Sequence, residues 1–329
     1  MQLIDFYGRN HTYLRLSLTE ACNLRCIYCR QDPGEVLEPF HHETSPCVAL
    51  SLSTEEYLQI ARLAPSLGIR KIRLTGGEPL LHPEIEKLVH EIQAISGIQD
   101  VSITTNGTLL KDRMPSLLRA GLKRVNISLD ALEASTYAHI TRRNLFHQAQ
   151  QGLEAALHGG LHPVKLNVVL LKGINDGEVV EFLKFAKNEP VHVRFIECMP
   201  FTLAAKNWYL SLDRVPQLAK EAGFVLIPLS QHSSIDGPSE MYQIQGGRGQ
   251  IGLIRPLSHR FCNRCNRLRV TSQGFLRPCL LNDVEVPLKD CLSNPVQASK
   301  RFAEALGYKE VMHALEKHRP HRTMLTIGG

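Results

Sequence analysis

The chain has 329 residues, of which 43% are hydrophobic, and a formal net charge of +6 at pH 7. No run of about 18 apolar residues occurs, which predicts no membrane span, and the first residues lack the apolar core of a secretory signal, so we expect a cytoplasmic protein. No basic run with interleaved aromatic residues occurs either, which argues against nucleic-acid binding.

Residues 13–196 alternate short β-branched runs with amphipathic helical segments. Strands are predicted at 13–18, 71–75, 101–105, 124–129, 164–171 and 191–196, and helices at 53–66, 82–95, 111–120, 144–158 and 178–187. Helices between successive strands are typical of a parallel sheet. The sequence therefore predicts an α/β fold with a partial, open (β/α)6 barrel of the TIM type, in which the working residues lie at the carboxyl ends of the strands.

The pattern changes in the last third of the chain. A helix is predicted at 210–222, short strands at 225–229, 241–245 and 250–254, and a last helix at 296–318. Glycine, proline and serine separate the short strands, which is typical of turns. We therefore expect a barrel domain over 1–211 and a smaller C-terminal cluster-binding domain over 212–329.

Three cysteines follow the first predicted strand at Cys22, Cys26 and Cys29. A cubane iron–sulfur cluster needs one ligand per iron, so three thiolates leave one iron open to a small molecule. Structural zinc usually takes two distant pairs of ligands, which this compact triplet fits poorly. The spacing therefore predicts a three-cysteine [4Fe-4S] cluster at the carboxyl end of a strand.

A second set of three cysteines lies in the C-terminal part, at Cys262, Cys265 and Cys279. The spacing suits a second cluster and, equally well, a structural zinc site that His259 would complete. Arg267 and Arg269 alternate along the strand predicted after Cys265, so both point to one face. Guanidinium groups on one face beside an open metal site suit a phosphorylated ligand.

Gly76, Gly77, Glu78 and Pro79 directly follow the second predicted strand. Glycines carry no side chains, so the polar groups of a ligand can approach the backbone here. An ordinary tight turn is the alternative. The cysteine loop elsewhere in the chain favours the ligand site.

The cysteine loop, with Tyr28 before its last cysteine, and the Gly-Gly-Glu-Pro turn resemble the two hallmark motifs of the radical-SAM superfamily. The resemblance implies that S-adenosylmethionine chelates the open iron and that one electron from the cluster cleaves it to a 5′-deoxyadenosyl radical. It also implies that the cofactor is contacted by Tyr28, Gly77, Ser128 and Met199.

Over nearly the whole chain, these motifs and the CxxCNRxR segment resemble the radical-SAM GTP cyclases that begin molybdenum-cofactor biosynthesis. The resemblance implies a second [4Fe-4S] cluster that binds the purine of GTP. It also implies that the radical removes the ribose 3′ hydrogen and that the ribose carbon then attacks C8 of the guanine. The implied GTP contacts are Arg15, Arg73, Thr104, Lys165, Arg267, Leu268 and Arg269. Lys71, on the same strand face as Arg73, is a further candidate.

The chain ends in Gly328 and Gly329. The resemblance implies that this pair reaches the active site and supports the step after radical formation. The expected partners are GTP, an external one-electron reductant of flavodoxin or ferredoxin type, and a downstream enzyme that forms the pyranopterin. The oligomeric state stays open, a homodimer included, and no role is predicted for Cys47, Cys198 or Cys291.

Two other functions fit clustered cysteines. A two-cluster radical-SAM peptide maturase would need a domain that recognises a leader peptide, and no segment resembles one. An electron-transfer iron–sulfur protein would leave the Gly-Gly-Glu-Pro turn and the basic residues without a use. Formation of 5′-deoxyadenosine from S-adenosylmethionine distinguishes this last class from both enzymes.

Overall fold

The computed structural model describes residues 1–29, 51–200, 204–230 and 237–309. Six strands lie parallel and side by side in chain order, and the predicted partial (β/α)6 barrel is confirmed. They are β1 (Tyr13–Ser17), β2 (Lys71–Thr75), β3 (Asp100–Thr105), β4 (Val125–Ser128), β5 (Val164–Leu170) and β6 (Val191–Glu197).

Helices connect these strands and bury one apolar face each in the common core. They are α1 (Thr54–Leu63), α2 (Ile85–Ala94), α3 (Leu110–Arg119), α4 (Ala134–Thr141), α5 (Phe146–His158) and α6 (Val179–Asn188), followed by α7 (Arg214–Glu221) and α8 (Pro295–Gly307). A capping box of Ser53 and Glu56 fixes the start of α1. Among the described residues, no helix is long and apolar enough to cross a membrane.

The C-terminal strands extend the same sheet at both edges. They are β7 (Leu226–Leu229), β8 (Glu240–Ile244), β9 (Gln250–Ile254), β10 (Arg267–Val270), β11 (Phe275–Arg277) and β12 (Val286–Pro287). β9 pairs in parallel with β6, and β10 pairs in parallel with β1, so the described residues form one sheet of 12 strands. The division of the chain at residue 212 stays a prediction.

Two helical predictions differ from the structure. Helix α4 lies in a segment where no helix is predicted, because its polar and β-branched residues give only a weak amphipathic pattern. The last helix ends at Gly307, and the remainder of its predicted range, 310–318, lies outside the described residues.

The barrel strands alternate polar and apolar side chains, with the apolar side facing the helices. The outward side chains belong to the core and include Leu14, Leu16, Ile72, Leu74, Ile103, Val125, Ile127, Leu166, Val193 and Phe195. A closed TIM barrel fills its interior with branched apolar residues. This open barrel instead turns polar and basic side chains inward, and these side chains form part of the wall of a cavity.

Candidate active site

A cavity of about 330 Å³ lies on the inner face of the barrel, and both cysteine triplets line it. Strands β1 to β6, β9 and β10 all contribute side chains to its wall. Most of the residues predicted for the site therefore come together. Those that line the cavity are Arg15, Cys22, Cys26, Tyr28, Cys29, Lys71, Arg73, Gly77, Thr104, Ser128, Lys165, Met199, Cys262, Cys265, Arg267, Arg269 and Cys279.

The two triplets lie at opposite ends of the parallel strands. Cys22, Cys26 and Cys29 follow the carboxyl end of β1. Cys262 and Cys265 precede β10, which runs parallel to β1, so they lie at the amino end. Cys279 reaches the same amino end because it follows β11, which is antiparallel to β10. The cavity thus extends from one triplet to the other.

The chemistry of the first triplet fits an iron–sulfur cluster with an open iron. All three thiols belong to one loop that borders the cavity. The Leu24 amide donates to Cys22 Sγ at 3.4 Å, and Asn106 Nδ2 lies 4.0 Å from the same sulfur, which suits a thiolate ligand. Burial, followed by Asp130 and the two neighbouring thiols, raises the pKa of Cys26 well above its usual value. Metal coordination would relieve this accumulation of thiolates.

The Gly-Gly pair packs against the cysteine loop itself. A Cβ atom on Gly77 would overlap the carbonyl oxygen of Ala21, and one on Gly76 would lie 2.6 Å from the carbonyl oxygen of Thr19. The Gly77 amide donates to Thr19 O at 2.6 Å. The sequence alone explains these glycines only by the approach of a ligand. The structure adds a second reason, because a side chain at either position would collide with the backbone of the cysteine loop.

Two buried carboxylates hold the carboxyl end of the barrel in place. Glu78 accepts from Thr105 Oγ1 and from the Asn106 amide at 2.7 Å each, and burial raises its pKa to about 7. Asp130 accepts from Tyr28 Oη at 2.6 Å and from the Val169 amide at 2.8 Å. Burial raises the pKa of Asp130 to about 6. Neither residue is predicted as a site residue, although Asp130 follows a strand as such residues commonly do.

The surroundings of the second triplet favour thiolates. Burial raises the pKa of Cys265, but Arg267 and Lys309 outweigh this effect and bring it to about 6. The Leu281 amide donates to Cys279 Sγ at 3.4 Å. These features fit a cluster ligand set.

His259, the ligand that a zinc site would need, is exposed and is not among the cavity-lining residues. Within the described ranges, no group of three or more His, Cys, Asp or Glu side chains is placed to hold a single metal ion.

Seven basic side chains and two carboxylates line the cavity. The basic ones are Arg15, Lys71, Arg73, Lys165, Arg194, Arg267 and Arg269. Both carboxylates accept hydrogen bonds from protein groups: Asp130 from Tyr28 and Val169, and Glu197 from the Leu257 amide at 2.8 Å. The cavity therefore presents a large excess of positive charge, which suits a polyanionic ligand.

Arg194 on β6 is a basic cavity residue that the sequence does not single out. Its Nη2 donates to Asn126 Oδ1 at 2.8 Å and to Asn167 Oδ1 at 2.6 Å, while its buried Nε has no partner among the described residues. A Cβ on Gly252 would lie 2.9 Å from Arg194 Cγ. A glycine inside a strand marks such a close approach, and that signal is present in the sequence.

Some predicted residues lie elsewhere. The side chain of Leu268 is fully buried in the hydrophobic core, so only its backbone could meet a ligand. Gly328, Gly329 and Cys47 lie outside the described residues. Cys198 and Cys291 are buried free thiols. The roles of all these site residues stay predictions.

Comparison with known proteins agrees with this geometry. Residues 16–186 match the Radical SAM superfamily, and residues 191–315 match Molybdenum Cofactor Synthesis C. The partial barrel with a cysteine loop at its carboxyl end defines a radical-SAM protein.

Curated relatives identify the family more narrowly. The GTP 3′,8-cyclase of Petrotoga mobilis is 42% identical over 336 residues, which cover 99% of this chain and 100% of the relative. That of Listeria monocytogenes is 40% identical over 342 residues, and both chains are covered in full (100%). The chain belongs to the GTP 3′,8-cyclase family.

Solved structures share the fold at low sequence identity. Native anSMEcpe with bound AdoMet has a TM-score of 0.58 at 14% identity, covering 96% of this chain and 87% of that one. Streptococcus suis SuiB bound to S-adenosylmethionine has a TM-score of 0.56 at 15% identity, covering 92% of this chain and 67% of that one. At this identity the likeness concerns the fold alone.

Proposed function

We propose that this protein converts GTP to (8S)-3′,8-cyclo-7,8-dihydroguanosine 5′-triphosphate, the first step of molybdopterin biosynthesis. The observation that carries the proposal is one strongly basic cavity with a cysteine triplet at each end. The membership of the chain in the GTP 3′,8-cyclase family supports the same substrate.

Cys22, Cys26 and Cys29 would hold the catalytic [4Fe-4S] cluster, and Cys262, Cys265 and Cys279 the second one. When bound, the first cluster and S-adenosylmethionine supply the one-electron chemistry that makes the hydrogen-abstracting radical. The cofactor contacts we propose are Tyr28, Gly77, Ser128 and Met199, all at the same end of the cavity as the first triplet. The hydrogen bond to Asp130 fixes the Tyr28 ring within the cysteine loop.

The basic side chains between the triplets would bind the triphosphate. Asp100 accepts from Arg124 Nε at 2.6 Å and lies 3.2 Å from Lys71 Nζ, which holds the lysine on the inner face. Ser102 Oγ accepts from Arg73 Nε at 3.3 Å. These positions are fixed before the ligand enters, so little side-chain entropy is lost on binding.

Binding the triphosphate along the basic inner wall leaves the space between the two triplets for the ribose and the purine that is attached to it. The ribose would face the first triplet, and the purine would reach the second triplet beside Arg267 and Arg269. The buried Thr104 hydroxyl has no hydrogen-bond partner among the described residues and can form a hydrogen bond with the nucleotide. The backbone of Leu268, between the two arginines, is a further proposed contact.

Anaerobic reconstitution followed by product analysis tests the function. With GTP, S-adenosylmethionine and a reductant, the protein should form 5′-deoxyadenosine and the cyclised triphosphate together. ATP in place of GTP should give no cyclised product. Formation of 5′-deoxyadenosine without any cyclised product from GTP would contradict the proposal.

The last two glycines, Gly328 and Gly329, would act after the radical has formed. Deleting both should leave the clusters and 5′-deoxyadenosine formation intact, while the yield of cyclised product falls sharply. Both products are measured from the same truncated protein. Equal loss of both products would indicate a structural tail, and loss of neither would indicate a frayed end.

The other partners that we propose, an electron donor and a downstream enzyme, are identified by their chemical class. The reaction needs one electron from outside, which a flavodoxin or ferredoxin would deliver in the cytoplasm. The cyclised product would pass to an enzyme that rearranges it to the pyranopterin. The segment 212–329 would act as a substrate-side iron–sulfur domain.

A further inference from the structure

The hydroxyl of Tyr13 is a buried polar group that has no partner inside the described protein. Tyr13 begins β1, is 7% exposed and lines the cavity. Its oxygen is among the buried side-chain atoms for which no hydrogen bond exists among the described residues. Nearly all buried polar groups in proteins have a hydrogen-bond partner. A buried hydroxyl on a cavity wall without a protein partner therefore indicates that a ligand atom forms the hydrogen bond.

Every neighbour of Tyr13 across the sheet is basic. In register, Tyr13 lies opposite Arg267 on β10 and opposite Lys71 on β2. Two residues further along, Arg15 lies between Arg269 and Arg73. Tyr13 is thus the one side chain in this two-by-three array that carries no positive charge.

These neighbours cannot accept a hydrogen bond from the hydroxyl. Guanidinium and ammonium groups are donors only and have no lone pair to offer a phenol hydrogen. The Tyr13 ring instead makes cation–π contacts, with Lys71 Nζ 5.0 Å and Arg73 Cζ 5.5 Å from its centroid. The phenol hydrogen therefore has no acceptor among the side chains that neighbour Tyr13 across the sheet.

We propose that Tyr13 is a further substrate-contact residue, whose hydroxyl donates a hydrogen bond to an anionic phosphate oxygen of the bound nucleotide. The acceptor must come from the ligand, because no neighbour across the sheet can supply one. A phosphate oxygen is the acceptor that the surrounding cations would attract to this place. The inference rests on the proposed function and deepens it by assigning a phosphate contact.

The protonation of Tyr13 supports this role. Burial raises the pKa of Tyr13, but Arg73, Arg15, Lys71 and Arg267 outweigh it and lower the pKa to about 8. The hydroxyl therefore still carries its proton near neutral pH. Bound phosphates would neutralise the field of these cations and raise the pKa again, so the donor persists in the complex.

The test removes the hydroxyl alone, in Tyr13→Phe. Binding of GTP, GDP, GMP and guanosine is measured with the anaerobically reconstituted holoenzyme. Affinity for GTP should fall about tenfold, the scale of one hydrogen bond to a charged group. Affinity for guanosine should not change, because the phenylalanine ring keeps the cations in place. The shortest nucleotide that shows the loss identifies the phosphate concerned.

Controls separate a ligand contact from a structural role. Tyr242→Phe makes the same change on β8, outside the cavity, and should leave GTP affinity unchanged. Tyr13→Phe should unfold at no lower temperature than the unmodified protein, because it loses a buried hydroxyl that has no protein partner. A lower midpoint of thermal unfolding, or an equal loss of affinity for guanosine and GTP, would overturn the inference.

Two measurements distinguish a failure of the Tyr13 assignment from a failure of the proposed function. Unchanged GTP affinity in Tyr13→Phe, with GTP still cyclised by the unmodified protein, would overturn the Tyr13 assignment alone. No GTP binding by the unmodified holoenzyme would overturn the proposed function and this inference with it.

Discussion

Seven basic side chains in one buried cavity repel each other and lose water. Burial comes first and neighbouring cations second, and together they lower the pKa of Arg194 to about 9. Burial in the same cavity lowers the pKa of Arg15 to about 10. The ligand-free protein therefore holds these cations at a cost in free energy, which a triphosphate would offset. A bound triphosphate would relieve the repulsion between these cations, and this relief would add to the affinity for the ligand.

Lys165 should make GTP binding depend on pH. Burial, followed by Arg194 and other neighbouring cations, lowers the pKa of Lys165 to about 7. At pH 8 most of its amine is therefore neutral in the ligand-free protein, while the phosphates of GTP are fully ionised. Bound phosphates favour the ammonium form, so binding takes up a proton and GTP affinity falls as the pH rises above about 7.

Calorimetry at pH 8 in two buffers of different ionisation enthalpy measures this proton uptake. The unmodified holoenzyme should take up more than one proton per GTP, about one at Lys165 and roughly half of one at Tyr13, and Lys165→Met should take up only the smaller part. Tyr13 contributes a smaller uptake of its own, so the variant keeps a remainder. Lys172→Met, at an exposed position, serves as the matched control. Equal uptake in Lys165→Met and the control would contradict the prediction.

At the residue scale, motifs and strand alternation predict most of the cavity wall. Arg267 and Arg269 were expected on one face, and both line the cavity. Arg194 was missed because a single arginine in a β-branched run is typical of a solvated strand face. The parallel register of β6 with β5 sets Arg194 beside Asn167 on the face that lines the cavity, and Gly252 lies opposite Arg194 on β9.

At the scale of elements, the six barrel strands were predicted within one or two residues, because β-branched runs between helices give a strong pattern. Of the two cysteine triplets, only the first follows the rule that working residues lie at the carboxyl ends of the strands. The second triplet lies at the amino end because β10 joins the sheet beside β1. That pairing is between residues far apart in the chain, and no local pattern encodes it.

An N-terminal loop braces the second cysteine segment. Arg9 Nη1 donates to Cys262 O at 2.5 Å, and Arg9 Nε donates to Asp5 Oδ2 at 2.6 Å. Lys309 Nζ donates to Arg267 O and to Pro278 O at 2.6 Å each. Two buried cations from distant parts of the chain thus hold the backbone around the second triplet.

Arg9→Ala should therefore loosen the second site selectively. The substitution removes the guanidinium partner of the buried Asp5, which keeps its contacts with the Tyr7 amide and His11, so the fold is destabilised by about 2 kcal/mol, the scale of one hydrogen bond to a charged group. The iron content should fall toward one cluster per chain, while 5′-deoxyadenosine formation continues. Arg62→Ala, which breaks an exposed ion pair with Glu55, is the control and should keep both clusters. Full iron content in Arg9→Ala would show that the hydrogen bonds of Arg9 are not needed to hold the second cluster.

At the scale of the whole molecule, the fold places two cluster sites at the two ends of one cavity. The first triplet belongs to the loop after β1, and the second is held by β10 and β11 at the sheet edge. Different elements build the two sites, so each should assemble without the other. GTP cyclisation, in contrast, should need both.

Single cysteine variants test this independence. Each cubane contributes about four irons, so the reconstituted protein should hold about eight per chain, and Cys26→Ala and Cys265→Ala about four each. Cys26→Ala should form no 5′-deoxyadenosine yet still bind GTP. Cys265→Ala should still cleave S-adenosylmethionine, bind GTP more weakly and form no cyclised product. Cys291→Ala, at a buried thiol outside the cavity, should retain all three properties.

The metal content also decides between the two interpretations of the second triplet, a second iron–sulfur cluster and a zinc site. About four irons and one zinc per chain in the unmodified protein would restore the zinc site that the sequence left open. His259 would then have to turn inward from its exposed position to complete the ligand set. Loss of both clusters in either cysteine variant would show that the two ends of the cavity assemble as one unit, contrary to the separate elements that build them.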